Sequence, residues 1–597
     1  MGKLNTIYGQ YCYDSGTLIN RAVTKYLRNC GAQNDSPGST CGDKSSDDGG
    51  AALEFGRIIC CRGNRPADRM IERRSNGKAL ARSGEQQRDK VSTYDSEEED
   101  EFEENVELVD ESRLAYRAEG NANIVLSLVD SHRVLRLRKS SVSCRDGKDS
   151  NVDLKRLIKY SRVITSLFSS RYVPEPKLGR LDTYDLETFN QTLAKFRPVT
   201  RLDKEIRERD GILYPDVAFL PAKLNSMALL QQDYGQDSRM LTCNMYCVEI
   251  KPKQGWSFHD EDGFARQMLF ANCDNTIMEL AGSGVKKCRY CLYQYLKLQK
   301  NYIGKVSKYC PLDLFSGKPI RMLHAIKGLI GAPQNNFRLL KNGRIVYDEK
   351  QEKCVFNRIL KEIFQRDGRT KEERKTIFMN LIKETLLKDF SGYEAHCDRK
   401  LLTIRKDRKK KDKNLIHHRT CSSINYQFLP ANCALKQILD AQLLVKSSLA
   451  EIRQDKLPVD SDDSFQYVDE LYEKYLDCLE DCSSGNEASE NEIKRTISER
   501  LKNFTDFYLD VEGKYQLGAT ALDCSIMITF RRLADREEDR LPPTAKAHII
   551  SIENMKFLVN VTITDLDPKS LNHHRKYIEQ LRDSIGAYRE FTSKIRR

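Results

Sequence analysis

The sequence predicts an α+β enzyme of two lobes, a β-rich N-terminal one and a larger, mainly helical C-terminal one, preceded by a disordered tail. Three observations predict it. A chain of 597 residues exceeds what one hydrophobic core normally holds. Runs of β-type residues crowd the span from about 123 to 250. Helical spacing dominates after that, with strand-like runs returning only near the end.

Composition narrows the class. Hydrophobic residues are 39% and charged residues 31%, which suits a folded body carrying solvated insertions. No apolar run reaches about 18 residues and the first residues lack a signal peptide's apolar stretch, so neither a membrane span nor secretion is expected. The 19 cysteines then read as mostly free thiols in a reducing compartment, the cytoplasm and nucleus. A net charge of +12 asks for an anionic partner. The basic residues do not alternate with an aromatic platform, which counts against nucleic acid and leaves an acidic membrane surface and a phosphorylated small molecule open. A monomer is expected.

Residues 1–110 read as a disordered tail, without a period of 2 or 3.6 and ending in the acidic run from Glu97 to Glu107. Residues 111–247 read as the N-lobe. There, two β-rich runs flank Asp130-Ser131-His132 as a hairpin, preceded by the small-residue loop Glu119-Gly120-Asn121-Ala122-Asn123. Such a loop can lay backbone N–H groups over phosphates or be an ordinary turn. A helix follows from Asp153, then buried strands in GILYPDVAFLP and MYCVEIKPK. Residues 248–597 read as the C-lobe, with helices at Gly263–Ala271, Lys286–Lys300, Met322–Ile330, Glu372–Leu387 and Leu435–Ile452. Strands are expected at Asp523–Arg531 and Lys556–Thr564, disordered insertions near 405–414 and 454–492, and a helix closes the chain.

The segment Val248-Glu249-Ile250-Lys251-Pro252-Lys253-Gln254-Gly255-Trp256 carries the most information. Two lysines flank a proline at the end of an apolar strand, and a period of 2 points both to one face. That pair is either a fixed cationic site for phosphates or an exposed strand end. Asp523 precedes the apolar run SIMITF, and Asp565 and Asp567 follow FLVNVTI. Carboxylates at strand ends can serve as a base and a metal ligand, or merely form turns. Arg289, Tyr293 and Lys297 are spaced by four and share one helix face. No HRD catalytic loop and no GxxxxGK[ST] sequence occurs.

Around the lysines the chain resembles the Glu-x-Lys-Pro-Lys signature of the inositol-pentakisphosphate 2-kinases. Further blocks resemble that family in the same order: Glu119–Asn123 with Val134-Leu135-Arg136, Arg289–Lys297, Pro311–Gly317, Pro333–Arg338, Asp523–Ile528 and Asp565–Lys569. The resemblance implies an ATP- and Mg2+-dependent kinase that phosphorylates the 2-hydroxyl of inositol 1,3,4,5,6-pentakisphosphate to the hexakisphosphate. It assigns the nucleotide to Gly120, Asn121, Asn123, Arg136 and Glu249, and magnesium to Asp567. Asp523 and Lys251 become the catalytic pair. Lys253, Arg289, Tyr293, Lys297, Asn335, Asn336, Arg201, Arg575 and Tyr577 become the grip on the inositol phosphate. Such a substrate carries roughly −8 to −10, which accounts for the cations. Some family members bind structural zinc, and His417, His418, Cys421 and Cys433 are the candidate ligands here; Cys288 and Cys291 read as packing. The alternative is a non-catalytic inositol-phosphate or phosphoinositide binder, for which Asp523 and Asp567 would be superfluous.

Overall fold

The strands alternate or run continuously apolar according to how many faces they bury. β3 (Asn123–Leu128) buries every second residue and covers one face. β10 (Ser525–Arg532) is buried along its length up to Arg532, as a central strand packed on both faces must be. The computed structural model describes residues 106–120, 122–128, 131–141, 150–169, 171–225, 244–258, 287–364, 368–390, 428–449, 451–452, 467–483, 503–534 and 537–596.

The result is a mixed α/β fold with two six-stranded sheets. The first has the order β1-β5-β6-β4-β3-β2, from β1 (Glu107–Val109), β2 (Leu114–Glu119), β3, β4 (Arg133–Ser141), β5 (Lys177–Leu181) and β6 (Lys204–Pro215). The second has the order β11-β12-β10-β7-β8-β9. It comprises β7 (Tyr246–Ile250), β8 (Phe337–Lys341), β9 (Arg344–Tyr347), β10, β11 (Ile549–Ile552) and β12 (Met555–Thr564). All its pairings are antiparallel.

Ten longer helices accompany the sheets: α1 (Ser150–Phe168), α2 (Leu186–Ala194), α3 (Arg289–Gln299), α4 (Pro319–Gly331), α5 (Lys353–Ile363), α6 (Lys371–Leu387), α7 (Ala434–Ser448), α8 (Tyr467–Ser483), α9 (Val511–Thr520) and α10 (Asn572–Arg596). A capping box of Thr370 and Glu373 starts α6. One large apolar cluster runs from α1 through β7, β10 and β12 to the helices, so the second sheet and the helical scaffold share a core.

Three expectations need correction. The tail was expected to reach residue 110, but Glu107–Val109 pair in parallel with β5, where Leu108 aligns with Arg180. Residues 467–483, expected inside a disordered insertion, form α8, whose Asp469 carboxylate accepts from Arg156 of α1 at 2.7 Å. The C-terminal half carries a full sheet and not two late strands, because β7 pairs with β8 and β10. The short β8, β9 and β11 have few residues in which to display a period. The helix expected at Gly263–Ala271 and the insertion near 405–414 lie outside the described residues. No described helix is long and apolar enough to cross a membrane.

Candidate active site

The register of the second sheet assembles the site. Ile250, the last residue of β7, pairs with Ile526 of β10, and Ser525 pairs with Thr564 of β12. Lys251 just after β7, Asp523 just before β10 and Asp565 just after β12 therefore emerge at one sheet end. Lys251 Nζ donates to Asp565 Oδ2 at 3.0 Å, and Lys253 Nζ donates to Asp523 Oδ1 at 2.5 Å. Ser525 Oγ also donates to Asp565 at 2.7 Å.

The lysines converge by a different route from strand alternation. β7 stops at Ile250, and Lys253 takes a left-handed backbone with φ 60°. Asp565 is left-handed too, with φ 61°. Non-glycine residues rarely hold that conformation, and it persists where the surroundings over-determine it. Here the surroundings centre on Gln442 of α7, a fully buried side chain. Its Nε2 donates to Lys253 O at 3.0 Å and Ala521 O at 2.8 Å, while its Oε1 accepts from Gly255 N at 2.8 Å. One amide thus ties the lysine turn to the segment leading into Asp523. Gly255 is obligatory at this turn, since a Cβ there would lie 2.5 Å from the Phe315 ring.

Charge shifts follow the contacts. Desolvation in the cleft pushes the Asp523 carboxyl up, but Lys253 and Lys251 prevail and hold it down at about 2. Burial works against the Lys251 ammonium, yet Asp565, Asp523 and Glu249 raise its pKa above the ordinary value. For Asp567, burial again pushes up and Arg136 pulls lower. The pairing is bidentate: Arg136 Nη1 and Nη2 donate to the two Asp567 oxygens at 2.8 and 2.7 Å.

Arg136 lies on β4 of the first sheet and Asp567 follows β12 of the second, so this pair bridges the sheets. Between them is a cavity of about 300 Å3 lined by Val125, Val134, Ile212, Glu249, Met527 and Asp565. Apolar walls with a few convergent polar groups suit a flat heterocycle carrying phosphates. Gly120 sits at the tip of the β2–β3 hairpin, its N–H donating to Asn123 O at 2.9 Å. The Arg136 guanidinium approaches the Asn123 amide to 2.7 Å. A buried cluster anchors this loop: Glu119 accepts from Arg197 at 3.0 Å and from Lys139, which also donates to Gly120 O at 2.9 Å. Arg201 lies beside that cluster, its carbonyl accepting from Arg197.

On α3, Arg289 and Lys297 share a face with Tyr293, as spaced. The Lys297 ammonium sits 5.0 Å over the Tyr293 ring, and the Arg289 guanidinium 4.1 Å over the Tyr577 ring. Burial first, and then Lys253, lower the Lys297 pKa from 10.5 to about 8. Tyr577 and Asn336 are buried in the wall and not presented to the cleft. Tyr577 donates to Gln254 Oε1 at 2.7 Å, which makes it a shelf under Arg289. Asn336 accepts from Lys251 N at 3.0 Å and donates to Tyr290 OH, which makes it a brace for the lysine turn. The Asn335 side-chain oxygen is buried beside it, and Arg575 is half-buried on α10.

Three nearby groups were missed from sequence. Lys569 contributes to lowering Asp523, Asp567 and His573, and the spacing Asp-Leu-Asp-Pro-Lys could have drawn attention to it. His573 accepts from or donates to Tyr515 OH at 2.9 Å, and burial, Lys569 and Arg289 lower its pKa to about 3, so its imidazole is neutral. Gln442 gives no local signal at all. Among the zinc candidates only Cys433 is described, as the buried residue before α7; His417, His418 and Cys421 lie outside the described residues, as does Asn121 of the nucleotide loop. Cys288, Cys291 and Cys310 bring their sulfurs within 4.8 Å of one another, a three-thiol set that no fourth His, Cys, Asp or Glu joins among the described residues.

The chain is similar to the inositol-pentakisphosphate 2-kinase of Danio rerio, 26% identical, with 78% of this chain and 90% of that protein aligned. It is similar to the Arabidopsis thaliana protein of the same name at 24%, over 81% and 94%. The Drosophila melanogaster protein of that name is 28% identical over 47% and 55%. The sequence model of the family matches residues 116–583, more than three quarters of the chain, and the protein therefore belongs to the inositol-pentakisphosphate 2-kinase family.

Proposed function

We propose that this chain transfers the terminal phosphoryl group of ATP to the 2-hydroxyl of inositol 1,3,4,5,6-pentakisphosphate, giving the hexakisphosphate and ADP. The observation that carries the reading is the meeting of Lys251, Lys253, Asp523, Asp565 and Asp567 at one sheet end, beside a cavity reached by Arg136. The first sheet with its glycine hairpin acts as one lobe, and the second sheet with the helices as the other. The bond from the 2-oxygen to phosphorus forms as the bond to the ADP oxygen breaks, and the hydroxyl proton leaves.

Phosphoryl transfer asks for in-line placement and neutralised oxygens more than for covalent chemistry. The ion pairs of the free protein hold each group ready for exchange. Lys253 leaves Asp523 for a substrate phosphate; Asp523, relieved of its nearest cation, becomes a better acceptor for the hydroxyl proton. Lys251, between Asp565 and the cleft, meets the transferring phosphoryl group. Arg289 and Lys297 grip phosphates from α3, and Lys569 adds a further cation. Asp567 and Asp565 offer the hard carboxylate oxygens that suit magnesium, which would neutralise the nucleotide's phosphate oxygens when bound. The three thiols of Cys288 and Cys291 at the start of α3 and Cys310 beyond its end have donor chemistry that suits a structural zinc. A protein that only bound inositol phosphates would need neither Asp523 nor Asp567 at this point. Purified protein incubated with ATP, magnesium and a panel of inositol phosphates tests the reading. Conversion of the pentakisphosphate with matching ADP is expected, and transfer to none of the panel would overturn it.

A further inference from the structure

The face of α3 turned away from the reaction cleft borders a second and larger cavity. Arg289, Tyr293 and Lys297 lie on one side of the helix; Cys291, Gln294 and Tyr295 lie on the other and line a space of about 950 Å3. Its floor is apolar, with Tyr309, Ile330, Tyr347 and Phe356 buried. Its rim is cationic. Lys305 and Lys308 come from the segment after α3, Lys327 from α4, Lys353 from the start of α5, and Lys371 and Lys375 from α6.

We propose that this cavity is a second polyanion site, which takes a multiply phosphorylated polyol independently of the reaction cleft. The six lysines come from four separate stretches of chain, so no single helix surface accounts for their meeting. Among the described residues none of the six has a carboxylate within 4.0 Å. Of the two acids in the lining, Asp313 is committed to Arg321 at 2.8 Å. Glu372 is left against the six rim lysines and a seventh, Lys287, that is buried in the lining.

The crowding is felt. Burial lowers the Lys375 pKa, Glu372 partly offsets this, and Lys327, Lys353 and Lys371 each lower it further. Like charges kept together at this density cost free energy until an anion neutralises them. Several phosphates on one ring would engage lysines on opposite sides of the rim at once. The volume lies within the range of small-molecule sites. The proposal goes beyond the kinase reading, because it concerns a different cavity and is read out by binding and not by turnover.

The test is equilibrium binding of inositol hexakisphosphate to the full chain at physiological salt. Two classes of site per chain are expected. Lys253→Ala should weaken one; Lys327→Glu with Lys375→Glu should weaken the other about tenfold or more, leaving initial rates unchanged. If charge reversal prevents folding, Lys327→Gln with Lys375→Gln carries the same test with a smaller loss. Vesicles bearing a multiply phosphorylated inositol lipid separate the two sources of such a ligand. Lysine-dependent binding that is tighter to vesicles than to the free probe assigns the site to the headgroup; the reverse assigns it to the soluble anion. One class of site, lost in Lys253→Ala and untouched by the Lys327 and Lys375 changes, would overturn the proposal. So would displacement by single-stranded RNA alone.

Discussion

The two sides of α3 handle positive charge in opposite ways. On the cleft side the three cations at the sheet ends have named carboxylates, Lys251 with Asp565, Lys253 with Asp523 and Arg136 with Asp567, while Arg289 and Lys297 of α3 lie over the rings of Tyr577 and Tyr293. On the far side six lysines stand on the rim of a cavity with one uncommitted acid among them. Paired charges are positioned before substrate arrives and can exchange partners with little rearrangement, as transition-state electrostatics requires. Unpaired charges repel one another and are held apart by their separate elements. The difference separates groups arranged for chemistry from groups arranged for capture.

The comparison can be broken most forcefully at Asp523. Asp523→Asn should keep the fold and lower kcat by about 100-fold or more, since the acceptor for the hydroxyl proton is gone. Asp567→Asn should act through the metal, so that raising magnesium recovers part of its loss. Steady-state rates across a magnesium series check both; near-normal turnover in Asp523→Asn would remove its assigned role.

Gln442 comes next. Gln442→Glu keeps the acceptor for Gly255 N but points an oxygen at the Lys253 and Ala521 carbonyls. The lysine turn should shift, and kcat should fall between about 10- and 100-fold while the KM for ATP holds. Gln442→Ala should cost about 1–3 kcal/mol of stability through unsatisfied backbone groups. A variant whose kcat and melting temperature both match the parent would show that the amide positions nothing.

The smallest effect concerns Lys297, whose pKa is lowered to about 8 by burial and Lys253. Between 8 and the ordinary 10.5 the unfolded chain holds more protons at this group than the folded one. Its contribution to stability therefore rises with pH across that window. Binding a polyanion favours the charged form and takes up a proton near pH 8. Calorimetric titrations in buffers of different ionisation heat should detect that uptake, and Lys297→Met should abolish it.

Much of the site was legible because it is written in short contiguous segments. Lys251, Lys253, Asp523 and Asp567 each stand at a strand end, where an apolar run stops and a charge follows. Arg289, Tyr293 and Lys297 declared their common face by spacing alone. What could not be read was which ends meet. The pairings of Ile250 with Ile526 and of Ser525 with Thr564 join segments some 275 and 40 residues apart, and no local period encodes them. Gln442 was invisible for the same reason, since its three partners lie on two distant loops. Tyr577 and Asn336 were assigned to the substrate by the resemblance alone, and in the structure both side chains are buried. The short β8 and β9 hid in a region of helical spacing, and α8 was masked by the acidic, serine-containing stretches that flank it.

Kinetics of Lys253→Ala and Lys375→Ala, measured side by side with inositol pentakisphosphate and magnesium ATP, test the central claim most directly. Lys253→Ala should lower kcat/KM by roughly 30- to 1,000-fold with the fold intact, because it removes a cation facing a substrate of roughly −8 charge. Lys375→Ala, across α3, should leave kcat/KM within about twofold of the parent. Equal losses in the two variants, or parental kinetics in Lys253→Ala, would contradict the account.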